Sequence, residues 1–292
     1  FLIQPKEARQ RLKEALMFSM QADQPLRVLQ PVRAGTYSFI GGRKNNEDSA
    51  FYALIRATVE GIDLYQGIAV ITDGMGGYRR GEVAARLATT RLGSKLTYYA
   101  IMGGEEASVI DYREALKLAF TMTNNEILRM ASGKAEDEGM GATATAAIVD
   151  INNLRVWIGH IGDRRAYSLN SNSVMQLTKD HALVQELIDK GVIAPEQARK
   201  HPQRNVITRA LGMPDTQPDI YEYNLADGSY LLLCTDGLSH EVSEGEMQRM
   251  VLGGIRKYRS PTSVVRSLAK LAFSRGENDN ITGVLLGPLI RR

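Results

Sequence analysis

Apolar positions change their period several times along the chain, and the changes mark out its elements. Short β-branched runs at Thr36–Ile40, Gly67–Thr72, Thr143–Val149, Leu154–Ile158, Ala166–Leu169, Tyr230–Cys234 and Ile281–Leu286 have the length and make-up of strands. Helical stretches lie between them. Gly81–Ile101 is rich in Ala, Leu and Arg. Asp111 can cap a helix running to about Ala131, with Leu116, Phe120, Thr123 and Ile127 on one face. Pro261 precedes a segment, Thr262–Ser274, whose Val264, Val265, Leu268, Leu271 and Ala272 form one stripe. Near the start, Leu12, Leu16 and Met20 recur every four residues behind Pro5, until Pro25 and Pro31 break the pattern. Residues 1–33 are therefore expected to be a helix and linker, and residues 34–292 the main domain. Strands cluster between 143 and 169 instead of alternating with helices. That order implies an α+β fold with helices segregated from an antiparallel or mixed sheet.

Composition narrows the function classes. The 292 residues are 43% hydrophobic, ample for a core. Lys and Arg total 36 against 33 Asp and Glu, and a net charge of +3 is too small to argue for a nucleic-acid partner. No apolar run reaches the ~20 residues of a membrane span. A single cysteine, Cys234, excludes an internal disulfide and suits a reducing compartment. A soluble cytoplasmic protein with neither a nucleic-acid nor a membrane partner is expected.

The candidate chemistry lies at strand ends. Ile68–Thr72 runs into Asp73–Gly74, Leu231–Thr235 into Asp236–Gly237, and Val156–Gly162 into Asp163. Asp279 immediately precedes the strand at Ile281, and Glu47–Asp48 sits between two strand-like stretches. A carboxylate at the end of a buried strand has a fixed backbone and a free side chain. Several brought together repel unless cations fill the gap. All-oxygen donors select hard cations, Mg²⁺ or Mn²⁺, and the four histidines lack the short spacings of a zinc site. The small residues of Asp73–Gly77 let backbone carbonyls approach an ion or a phosphate closely. Arg43, five residues before Asp48, offers a permanently charged fork for a phosphoryl group. Each feature also has a plain structural reading, since Asp-Gly is a common turn dipeptide. It is the recurrence in one chain that favours a site.

These segments resemble the metal-dependent serine/threonine protein phosphatases, the PPM or protein phosphatase 2C type, in their bacterial and archaeal form. The matching stretches, in order, are Arg43–Asp48, Asp73–Gly77, Gly139–Thr143, Gly159–Asp163, Thr178–His181, His201–Asn205 with Thr208–Gly212, Cys234–Leu238 and Asp279–Thr282. The resemblance implies a four-layer sandwich of two antiparallel β-sheets flanked by helices, with the metal centre at one edge. It implies hydrolysis of phosphoserine and phosphothreonine by a hydroxide bridging two metals, without a phosphoenzyme. Asp73 matches the carboxylate bridging both ions, and Gly74 the residue giving one a backbone carbonyl. Asp236 and Asp279 match the remaining carboxylates of the first ion. Glu47 and Asp48 match the pair that holds metal-bound waters, Asp163 the ligand of a weaker third ion, and Arg43 the phosphate-binding arginine. Residues 180–212 correspond to a flap, where Asn205 could approach the third ion. The implied partners are phosphoproteins modified by a serine/threonine kinase, and the expected state is a monomer.

Three departures from the family pattern bear on the chemistry. Arg164 stands where serine often follows Asp163, and it could compete with a cation or hold that carboxylate. His240 replaces an acidic residue common four positions after the metal aspartate, and Tyr78 replaces a histidine. Arg164 and His240 are expected to weaken the third ion and to leave Asp73, Asp236 and Asp279 untouched. Two other readings compete with an active phosphatase. One is a catalytically weak member acting as a binding module. The other is a Mg²⁺-dependent hydrolase with a nucleophilic aspartate on a parallel sheet. His181 and His201 read as surface or cap residues, His160 as a satisfied structural histidine, and Trp157 and Met175 as core.

Overall fold

The computed structural model describes residues 32–59, 62–75, 80–102, 111–133, 139–198, 201–258 and 260–291. The expected helix in residues 1–31 lies outside the described residues. One five-stranded sheet is ordered β1-β10-β9-β6-β7, formed by Arg33–Phe39 (β1), Arg165–Leu169 (β6), Val174–Gln176 (β7), Ser229–Cys234 (β9) and Ile281–Leu289 (β10). The other is ordered β2-β3-β4-β5-β8, formed by Asp48–Val59 (β2), Ile62–Met75 (β3), Gly141–Asp150 (β4), Arg155–Ile161 (β5) and Asp219–Asn224 (β8). Every named strand pair is antiparallel, which removes the parallel-sheet alternative.

The central strands read as continuous apolar runs because both faces are covered. Successive side chains of a strand point to opposite faces. Ala69 and Ile71 therefore meet Leu231, Leu233, Val284 and Leu286 between the sheets. Ile68 and Val70 turn the other way, toward Gly81–Met102 (α1) and Tyr112–Ala131 (α2), where Leu92, Leu96, Leu116 and Phe120 cover them. After the short helices Leu183–Asp189 (α3), Pro195–Ala198 (α4) and Asp236–Ser239 (α5), Glu244–Tyr258 (α6) and Pro261–Ser274 (α7) cover the opposite sheet through Met247, Val251, Val265 and Leu268. The result is four layers, helix–sheet–sheet–helix, as expected.

Local signals explain most element boundaries. Asp111 accepts a hydrogen bond from the Arg113 amide as N-cap of α2, and Ser260 caps α7 behind Pro261. Two long elements have a blurred sequence pattern. In β2, Ala, Leu, Ile and Arg hide a two-residue period: Phe51, Ala53 and Ile55 pack under the helices while Tyr52 and Leu54 are exposed. In α6, Gly253–Gly254 interrupts an otherwise clear stripe of Met247, Val251 and Ile255. Trp157 is buried as expected, whereas Met175 is exposed on the short edge strand β7. Among the described residues no helix is long and apolar enough to cross a membrane.

Candidate metal centre

Antiparallel register sets two carboxylates against each other. Asp48 opens β2 and pairs directly with Asp73 near the end of β3. Like charges directly opposite on adjacent strands repel. Asp236 follows β9, and the preceding Thr235 hydroxyl donates to Asp48 Oδ2 at 3.2 Å. Asp163 lies between β5 and β6 and is buried. The aspartates at the ends of β3, β5 and β9 are joined by one side chain, Arg164.

Arg164 is only 1% exposed. Its Nη1 donates to Asp73 Oδ2 at 2.6 Å and to Asp236 Oδ1 at 2.7 Å. Its Nε and Nη2 donate to Asp163 Oδ1 at 2.9 and 2.5 Å. This corrects the expectation that Arg164 acts at Asp163 alone. The reason is geometric: the side chain is long enough to pass its own neighbour and reach the ends of β3 and β9. Among the described residues no three acidic, histidine or cysteine groups converge tightly enough to share one ion, and the guanidinium stands between them instead.

Burial and mutual repulsion govern the electrostatics here. Burial pushes Asp48 up to about 7. Burial likewise raises Asp73 well above the carboxylate range, against the pull of Arg164 and with the repulsion of Asp48 and Asp236. Asp163 is raised by burial, too. Asp236 differs: burial would raise it, but Arg164 and His240 together hold it below its ordinary value. The carboxylates are thus only partly neutralised by the protein's own cation.

A cavity of about 290 Å³ opens beside this group, lined by Arg43, Glu47, Asp73, Gly74 and Asp279 among others. Arg43 Nη2 donates to Asp279 Oδ2 at 2.7 Å, and the Arg43 side chain is 59% exposed. Burial raises the Glu47 carboxyl, with Glu82 adding to the effect. Asn280 ties the loop before β2 to the start of β10. Its Nδ2 donates to the carbonyls of Ile40 and Asn45, and its Oδ1 accepts from the Glu47 amide. The Gly74 amide donates to the Glu47 carbonyl at 3.0 Å. A Cβ on Gly74 would stand 2.0 Å from the Gly81 carbonyl oxygen, so only glycine lets the start of α1 approach this turn. Tyr78, Gly76 and Gly77 lie outside the described residues.

The hold of Arg164 on Asp163 is as expected, whereas its reach to Asp73 and Asp236 and the roles of Asn280 and His181 were missed from sequence. His181 is buried, not a surface group: its Nδ1 accepts from the Gly162 amide and its Nε2 meets Asp219 at 3.1 Å. His160 is buried in β5, but only half satisfied: among the described residues its Nε2 has no hydrogen-bond partner, because the ring is enclosed on that side. Thr145 spends its one hydroxyl hydrogen on the Arg164 carbonyl, so His160 Nδ1 is the donor to Thr145 Oγ1 at 2.8 Å. His201 accepts from the Gln203 amide in a turn, and Asn205 is exposed. The available signal was local: Arg164 and Asn280 each adjoin a predicted ligand.

Two antiparallel sheets between helix pairs, with aspartates from both sheets gathered at one end, define a PPM-like sandwich. Residues 59–272 match the family model described as protein phosphatase 2C. Over 245 residues the chain is 34% identical to protein phosphatase PhpP of Streptococcus pneumoniae, covering 84% of this chain and 92% of that one. It is 35% identical over 224 residues to the serine/threonine phosphatase stp of Listeria welshimeri, covering 76% and 84%. Among solved structures, the catalytic domain of the serine/threonine protein phosphatase PstP in complex with two manganese ions superposes with a TM-score of 0.69 at 30% identity, covering 87% of this chain and 97% of that one. The chain belongs to the protein phosphatase 2C family in its bacterial PPM form, and so to the protein-serine/threonine phosphatases.

Proposed function

We propose that residues 34–292 form a metal-dependent phosphatase domain that hydrolyses phosphoserine and phosphothreonine in proteins, transferring the phosphoryl group directly to water. The observation that carries this reading is the Asp48–Asp73 pair with Asp236 beside it. It is an all-oxygen, largely buried donor set in which, among the described residues, Asp48 Oδ1 has no hydrogen-bond partner. An orphaned buried acceptor among repelling carboxylates fits divalent cations. Asp73, Asp236 and Asp279 would hold Mn²⁺ or Mg²⁺, with the Gly74 carbonyl as a further oxygen and Asp163 as the ligand of a weaker third ion. Bound cations would supply Lewis acidity toward water and neutralise the phosphoryl oxygens.

The chain's own residues supply the remaining roles. Arg43, exposed at the cavity rim and paired with Asp279, can turn its fork onto a phosphoryl group. Glu47 and Asp48 would orient water by hydrogen bonds. The water oxygen bonds to phosphorus as the phosphoester P–O bond breaks, and the proton that water gives up balances the one taken by the serine or threonine oxygen as inorganic phosphate is released. The manganese in the PstP structure and the phosphatase names of the relatives support this reading. The proposed partners are phosphoproteins made by a serine/threonine kinase, met by a monomeric enzyme in the cytoplasm. Hydrolysis of a phosphothreonine peptide, with and without Mn²⁺, followed by acid quenching, tests it. Metal-dependent phosphate release with no phosphate left on the protein is expected. Turnover in EDTA, or phosphate trapped on an aspartate, would overturn it.

A further inference from the structure

We propose that Arg164 is a built-in counter-cation of this centre, and that it must leave the space between Asp73 and Asp236 before a divalent cation can bind there. The proposal rests on the metal-dependent reading above and adds how this chain controls access to the site. Nη1 of Arg164 touches one oxygen of Asp73 and one of Asp236 at 2.6 and 2.7 Å. A single nitrogen that close to both fills the volume a cation ligated by both would need. The other guanidinium nitrogens clamp Asp163 Oδ1, so the fork is satisfied on three sides and stays nearly inaccessible to solvent.

Charge counting agrees with this arrangement. When ionised, Glu47, Asp48, Asp73, Asp163, Asp236 and Asp279 carry six negative charges, and Arg43 and Arg164 return two. Even with both arginines in place the carboxylates outnumber them by four, so the group stays negative and attracts further cations. Arg43 and Arg164 are not equivalent in this respect. Arg43 is 59% exposed and can swing into water, whereas Arg164 is enclosed and can leave only with rearrangement around Asp163. Arg164 is therefore the protein's own cross-link between the aspartates at this edge. Metal binding exchanges one cation for another, and its apparent affinity is reduced by the fraction of molecules in which Arg164 has moved.

The test measures binding, not turnover. Free Mn²⁺ is counted by electron paramagnetic resonance during titration of wild type and Arg164→Ser, and both are melted in EDTA and in Mn²⁺. The expected result is binding at least about tenfold tighter in Arg164→Ser, following from removal of the competing state. The variant should also melt lower than wild type in EDTA and gain more from Mn²⁺. Equal Mn²⁺ affinity in the two proteins overturns the proposal. A second measurement needs no variant: in ¹⁵N-arginine-labelled wild type, the Arg164 Nε–H signal should shift and lose exchange protection as Mg²⁺ is added. If wild type binds Mn²⁺ and hydrolyses phosphopeptide while that signal stays fixed at saturating Mg²⁺, only the exchange idea fails. Wild type that binds no Mn²⁺ at all overturns the metal-dependent reading together with it.

Discussion

Two arginines show how exposure decides what the same side chain does. Arg43 and Arg164 both pair with aspartates expected to hold metal, at 2.7 and 2.6 Å. An exposed ion pair contributes little, about 0–1 kcal/mol, so Arg43 can give up Asp279 for a ligand. Arg43→Ala should raise KM or lower kcat/KM by roughly 1–3 kcal/mol, the scale of hydrogen bonds to a charged group, with Mn²⁺ affinity little changed. Steady-state kinetics beside a Mn²⁺ titration would show it. A large loss of metal affinity would instead make Arg43 part of the metal scaffold. Asn280 belongs to this scale as well. It is 5% exposed and satisfies two carbonyls and one amide from the loop before β2. Asn280→Ala should destabilise by about 1–3 kcal/mol in urea unfolding, because those backbone groups lose their partner. No change in the midpoint would mean that water replaces it without loss. The aspartates themselves were legible, because a hydrophobic run ending in Asp-Gly is a local pattern. The reach of Arg164 to Asp73 and Asp236, 91 and 72 residues away, was not, because only the packing of the two sheets creates it.

At the scale of elements, the site depends on β3 ending against the start of α1. Gly74 makes that possible, with the Gly81 carbonyl oxygen 2.0 Å from where a Cβ would stand. Gly74→Ala should push the two segments apart, lowering the melting temperature and abolishing metal-dependent turnover. Retention of both would show that the turn has room the structure does not display. Away from the site, Leu268 is fully buried in α7 over the other sheet. Leu268→Ala should lose about 2–5 kcal/mol of stability, the range for such core truncations. Its metal requirement at a temperature where it remains folded should match wild type. Elements with a clean period or cap, such as α2 behind Asp111 and α7 behind Pro261, were readable from sequence. Those whose pattern is blurred, β2 by its helix-favouring composition and α6 by Gly253–Gly254, needed the sheets to define them.

For the whole molecule, buried His160 links stability to pH. Burial, reinforced by His181, pushes His160 down to about 3. A histidine in the unfolded chain titrates near ~6.5, so below that pH the unfolded state binds the extra proton first. The contribution of a neutral His160 is complete above ~6.5 and is lost progressively as pH falls toward 3, at about 1.4 kcal/mol per pH unit. Other groups titrate over the same range, so the effect is read as the difference between wild type and His160→Gln in urea unfolding at pH 7 and pH 5. Wild type should lose more stability than the variant over that interval. Parallel loss in both would mean that His160 is charged or solvated in the folded protein.

The central claim is that aspartates from separate strands of two sheets make one phosphate-hydrolysing metal centre. Turnover of a phosphothreonine peptide at saturating Mn²⁺ by Asp73→Asn and Asp236→Asn tests it most directly, since an amide keeps the shape and removes the charge that holds the ions. Each variant should fall by about 10³-fold or more, the scale seen when a charge-stabilising group is removed from an active site, while remaining folded. Activity within tenfold of wild type for either variant, at the same Mn²⁺ concentration, would contradict the account.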